Sequence, residues 1–114
     1  MPEPKLDDAT TYEIFKNLEA DPNTSQRALS RTLGISLGKV NYCLKALIAK
    51  GWIKAKNFEK SSNKTGYAYI LTPTGLETKA RVTARFLRYK IAEYEKLQIE
   101  IETMRREVDN QPPI

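Results

Sequence analysis

The chain has 114 residues, 40% of them hydrophobic and 29% charged, enough for one domain with an extension and one modest core. With no histidine and one cysteine, His/Cys metal sites, His-based triads and an internal disulfide are excluded, and no apolar run nears the roughly 20 residues that span a bilayer. The net charge of +5 is uneven: residues 22–90 hold fourteen Lys and Arg against only Glu59 and Glu77, whereas both ends are net acidic, a distribution that suits a polyanionic partner.

Residues 1–8, with Pro2 and Pro4, read as a disordered arm, too polar and acidic to be a signal peptide. A first helix is predicted from Thr10, where Thr10-Thr11-Tyr12-Glu13 fits a capping box, to about Ala20. Tyr12, Ile14, Phe15 and Leu18 form its buried side, and Asp21-Pro22-Asn23 breaks it. Thr24 or Ser25 caps a second helix to about Leu33, and Gly34 takes a left-handed turn. Ser36 caps a third helix, closed by Lys50 and Gly51. Leu29, Leu33, Ile35, Val40 and Leu44 fall where two steeply crossing helices would pack, with Ser30 small enough for close approach. That is the spacing of a helix-turn-helix.

Trp52–Phe58 alternates apolar and basic residues as a half-buried strand does, Glu59–Gly66 is a polar turn, and Tyr67–Leu71 returns as a second strand. Thr72-Pro73 then opens a helix with a capping threonine and a proline at its first position. No proline follows until Pro112, so the helix runs to about Asp109, roughly 55 Å at 1.5 Å per residue. Its apolar positions include Ala80, Ala84, Leu87, Ile91, Tyr94, Leu97, Ile101, Met104 and Val108. Their spacing is a heptad seam with a phase slip at 91–97, and a helix of this length needs a partner to bury it. Glu77 with Arg81 and Glu102 with Arg106 add four-residue ion pairs, and residues 110–114 form a frayed tail.

Catalysis finds no foothold. Asp7 and Asp8 lie in the arm, the late glutamates lie on an exposed helix face, and the glycines match no phosphate-cradling loop, so neither an enzyme nor a cofactor or metal is expected. The third helix turns Val40, Leu44, Leu47 and Ile48 inward, with Cys43 beside them as a small buried hydrophobe. Its opposite face carries Ser36, Leu37, Lys39, Asn41, Tyr42 and Lys45. The first turns of such a helix enter a DNA major groove. There Asn41 pairs with adenine, Lys39 donates to guanine, Tyr42 stacks on a sugar or touches a thymine methyl, and Ser36 with the free N–H groups meets a phosphate. Arg27 and Arg31 on the second helix suit phosphates, and Lys60, Asn63 and Lys64 on the hairpin tip suit a minor groove or backbone. Lys54 and Lys56 flank the DNA or keep the strand soluble, whereas Arg81, Arg85 and Arg88 are solvated or interhelical.

From Tyr12 to about Gly75 the chain resembles a MarR-type winged helix, through SQRALSRTLGISLGKVNYCLKALIAKGWI and the strand-to-helix junction YILTPTG. It is most similar to the short MarR-like regulators associated with exopolysaccharide biosynthesis. The resemblance implies a mainly α fold: arm 1–8, winged helix-turn-helix domain 9–72 with a two-stranded wing, long coiled-coil dimerisation helix 73–109 and tail 110–114. It implies a cytoplasmic, homodimeric regulator that binds double-stranded DNA without a membrane partner, with the recognition helix, about 36–50, in the major groove and the wing, 59–66, on backbone or minor groove. Leu87, Ile91, Tyr94, Leu97, Ile101, Met104 and Val108 would pair the two copies. The wing lacks the family's Asp-x-Arg pattern, so no wing arginine carries over. One uninterrupted C-terminal helix follows the wing, so no drug-like effector is expected either. Two alternatives stay open: a protein-interaction module, whose third helix would expose more apolar residues, and a non-specific DNA architectural protein.

Overall fold

Every helix among the described residues starts at a side chain that takes over a backbone N–H left without a partner in the first turn. The computed structural model describes residues 6–57 and 67–111. In chain order its elements are α1 (Asp8–Ala20), α2 (Gln26–Leu33), α3 (Leu37–Ala49), β1 (Ile53–Asn57), β2 (Tyr67–Leu71) and α4 (Pro73–Asp109). Asp7, Ser25, Ser36 and Thr72 accept from the N–H of Thr10, Ala28, Lys39 and Gly75, at 2.6, 3.0, 3.1 and 3.0 Å.

The first of these caps corrects the sequence reading. The helix begins two residues before Thr10, because the Asp7 carboxylate out-competes the proposed Thr10 box as an acceptor at a positive helix end. Asp7 and Asp8 therefore belong to α1 and its cap, not to an arm; residues 1–5 lie outside the described residues, as do 112–114 of the expected tail.

Ile14, Phe15 and Leu18 of α1 meet Leu29 of α2, Val40, Cys43, Leu44 and Leu47 of α3, and Ile53 of β1 in one core. Tyr12, expected to be buried, is only half-buried. Ile48, expected inward, is 39% exposed: the buried arc 40, 43, 44, 47 leaves the next position turned out toward solvent. Gly51, at φ 76°, turns the chain out of α3, and the Trp52 N–H still reaches back to the Leu47 carbonyl at 3.0 Å. β1 pairs antiparallel with β2, from Ile53 opposite Leu71 to Asn57 opposite Tyr67. Trp52 stands just before the strand with its ring edge-on to Phe15, and Phe58 lies outside the described residues. The Tyr69 N–H donates to the Pro22 carbonyl at 3.0 Å, tying the hairpin to the α1–α2 connection.

α4 docks only by its beginning. Gly75, Thr78 and Val82 are buried and Phe86 is half-buried, at steps of three, four and four, on the side facing α1. Tyr12 and Phe86 meet at 5.4 Å between ring centroids, Asp8 receives both Arg85 Nε and Nη2 at 2.9 and 3.0 Å, and Lys79 pairs with Glu19. Arg85 is thus paired between two helices of its own chain and stays half-exposed, in keeping with the expected solvated or interhelical role. Arg81 donates to Thr78 Oγ1 at 3.3 Å in place of the expected pair with Glu77, whereas Glu102 and Arg106 do meet at 3.6 Å. The expected seam starts at Ala80, Ala84 and Leu87, on the far side of the helix from this docked face. Beyond Phe86 every described residue is exposed, and the molecule measures 70 × 33 × 29 Å. Its radius of gyration of 19.7 Å compares with about 13 Å for a compact chain of this size. Among the described residues no helix is long and apolar enough to cross a membrane.

Candidate nucleic-acid interface

Ser30 sets the angle between α2 and α3. Its carbonyl accepts from the N–H groups of Gly34 and Ile35, at 2.9 and 3.2 Å, while its hydroxyl donates to the Ile35 carbonyl. One residue therefore closes α2 and holds the departing chain. Gly34 supplies the left-handed φ of 67° that this closure needs, a conformation costing roughly 1–2 kcal/mol for a residue with a Cβ. Smallness alone does not account for Ser30; its hydroxyl does the fastening.

From the Ser36 cap, α3 presents Leu37, Gly38, Asn41, Lys45, Ile48 and Ala49 along its outward side. Ser36, Leu37 and Lys45 are exposed, as their assignment to a DNA face requires. Lys39 and Tyr42 are half-buried on the flank, where Tyr42 packs against the core. Asn41 Nδ2 donates to Gln26 Oε1 at 3.3 Å, and Gln26 Nε2 donates to the Tyr69 hydroxyl at 3.2 Å. This relay links α3 to α2 and to the hairpin. It consumes one amide hydrogen of Asn41 and leaves the second, with the amide oxygen, for the paired contact an adenine edge offers. Gln26 escaped the sequence reading because its partners lie 15 and 43 residues away.

Arg27 and Arg31 are both exposed and, with Ser30 and Leu37, line an open groove of about 470 Å³ beside the start of α3. A smaller cleft of about 180 Å³ separates α3 from the hairpin, between Asn41, Lys45 and Ile48 on one side and Ala55, Tyr67 and Tyr69 on the other. Lys54 and Lys56 are exposed on β1; Lys60, Asn63 and Lys64 lie outside the described residues.

The charge on this surface has one sign. Between Pro22 and Phe58 the sequence has Arg27, Arg31, Lys39, Lys45, Lys50, Lys54 and Lys56 and no carboxylate. Among the described residues every ion pair sits on α1 and α4, so none neutralises these cations. Lys50 instead lies over the Trp52 ring at 5.1 Å. Burial pushes the Cys43 thiol above its ordinary pKa, which keeps it neutral within the core.

The seam residues Leu87, Ile91, Tyr94, Leu97, Ile101, Met104 and Val108 are between 42% and 70% exposed. Ala80, Leu87, Tyr94, Ile101 and Val108 form one unbroken seven-residue line, with Ile91 flanking its first half and Leu97 and Met104 its second. The phase slip in the sequence is this change of flank.

A family model described as winged helix-turn-helix DNA-binding matches residues 7–54, from the cap of α1 into β1. No curated protein matches the chain. Among solved structures, a MarR/EmrR family transcriptional regulator from Acinetobacter sp. ADP1 is 24% identical, with 90% of this chain and 76% of that chain covered and a TM-score of 0.56. The PcaV transcriptional regulator from Streptomyces coelicolor is 19% identical over 89% of this chain and 76% of that one, with a TM-score of 0.64. The transcriptional regulator BldR from Sulfolobus solfataricus is 14% identical over 90% and 74%, with a TM-score of 0.59. At these identities the likeness is one of fold, and it extends along α4 as well as the domain before it.

Proposed function

We propose that the chain is a sequence-specific transcriptional regulator of the MarR type, built on a winged helix-turn-helix DNA-binding domain and acting as a cytoplasmic homodimer. One observation supports this most: the outward side of α3 opens from the Ser36 cap within a stretch, Pro22 to Phe58, that has seven cations and no acid. The start of α3 enters the major groove, where Asn41, Lys45 and Lys39 meet base edges and Tyr42 meets sugar or a thymine methyl. Arg27, Arg31 and the Ser36 N-terminus hold phosphates, and Lys60, Asn63 and Lys64 reach the backbone or minor groove. Two copies pair through the seam from Leu87 to Val108, so the operator is roughly palindromic, its half-site centres about 10 bp or a multiple apart. The resemblance to short regulators associated with exopolysaccharide biosynthesis makes such genes the first targets to examine. No small-molecule effector forms part of this reading.

A second reading has one observation in its favour. Leu37 and Ile48 on α3 and Tyr67 on β2 are 43%, 39% and 46% exposed, an apolar content that a protein-docking surface would use. Titration of the protein against its own promoter and against scrambled duplexes, at several salt concentrations, separates the two. A regulator prefers one sequence by at least about 10³-fold. Equal affinity for every duplex would point to DNA architecture, and no binding at low salt would leave the protein-docking reading.

A further inference from the structure

Three of the four glycines among the described residues have a reason inside the chain. Gly34 and Gly51 hold φ angles of 67° and 76°, where a side chain is strained. At Gly75 a Cβ would fall 1.8 Å from the Trp52 carbonyl oxygen. Gly38 has neither reason. It is the second residue of α3, its φ is not positive, and a Cβ there would meet nothing within 4 Å. In an exposed helix alanine is the better residue, because glycine loses the most backbone freedom on folding. The chain thus gives up helix stability at one position, on the outward side of α3 and two residues after its cap.

A helical glycine that the fold does not need is accounted for by a body outside the chain approaching the backbone. The unopposed cations from Arg27 to Lys56 make that body a polyanion. We propose that Gly38 is the point of closest approach between α3 and DNA, where bare backbone lies against the wall of the major groove. Its missing side chain sets how deep the helix sits, and so whether Asn41 and Lys45, one and two turns further along the same side, reach the base edges. This rests on the placement of α3 in the groove proposed above and adds a specificity-determining residue that makes no polar contact of its own.

The test uses the full chain and the duplex most enriched when wild-type protein selects from a random-sequence pool. Gly38→Ala is expected to fold with an equal or higher Tm, to bind that duplex at least about tenfold more weakly, and to bind a scrambled duplex at low salt as wild type does. Ala49→Gln, on the same side some three turns on, is expected to stay within about twofold of wild type on both duplexes. Unchanged affinity of Gly38→Ala for the selected duplex overturns the inference and leaves the regulator reading standing. A lowered Tm overturns it too, by giving the glycine a role inside the fold, and an equal loss at Ala49 overturns the placement in the first turn. If wild type enriches no sequence, this inference and the sequence-specific reading fall together.

Discussion

At Trp52 the main chain passes from α3 into the sheet, and the start of α4 is built on its carbonyl group. That oxygen accepts the Thr72 N–H at 3.0 Å, and the Cα of Gly75 lies close above it. The Thr72 hydroxyl also donates to the Gly51 carbonyl while accepting from the Gly75 N–H. Gly75→Ala would drive a methyl into main-chain atoms that have no room to yield, since Trp52 is held on both sides by backbone bonds. The expected cost is about 1–3 kcal/mol, read as a lower midpoint in urea at unchanged slope. A midpoint equal to wild type would mean that the first turn of α4 can lift off Trp52. Single residues of this kind were partly legible in the sequence. The caps Ser36 and Thr72 and the turn glycine Gly34 announce themselves, because their reasons are local. Gly75 is visible in YILTPTG, but its reason is a tertiary contact 23 positions back, and the Asn41–Gln26–Tyr69 relay is hidden for the same cause.

At the scale of elements, α1 and the first half of α4 form a clamp with an aromatic centre, Tyr12 on Phe86, between two ion pairs, Asp8–Arg85 and Glu19–Lys79. The hydrogen bond from Arg85 holds the Asp8 carboxyl below its ordinary value of 3.8. A depressed carboxylate pKa contributes stability that is present above the unfolded-state value and lost as pH falls through the folded-state value. Asp8→Asn is therefore expected to melt lower than wild type at neutral pH. The gap should close as pH drops below 3.8, and should narrow with added salt because the pair is solvent-exposed. Thermal melts across pH would check this, and a gap that persists in acid would assign the effect to packing. The clamp also explains which helix face the sequence concealed. Of the docked positions Gly75, Thr78, Val82 and Phe86 only the last two are apolar, too few to register as a stripe, whereas the exposed line from Ala80 to Val108 is apolar at every seventh residue. Periodicity reports apolar content, and here the less apolar face is the one the chain buries on itself.

At the scale of the whole molecule, α4 itself divides in two: its first part packs on the rest of the chain, and beyond Phe86 every described residue is exposed, with the apolar line running on from Leu87. A chain truncated after Tyr89 keeps Val82, Arg85 and Phe86 and is expected to remain folded. It should sediment as a monomer and bind a full palindromic operator far more weakly than the intact chain, while binding a half-site about as well. A dimer after truncation would place the pairing surface within residues 1–89 instead. Lengthwise separation has a mechanical side as well. From Phe86 to Asp109 the helix projects about 35 Å at 1.5 Å per residue. A rocking of about 10° at its base carries the far end through roughly 6 Å, close to two base-pair steps of 3.4 Å. In a pair joined along these arms, the spacing of the two domains would depend on the stiffness of the helix base in each copy, where the tilted rings of Tyr12 and Phe86 meet.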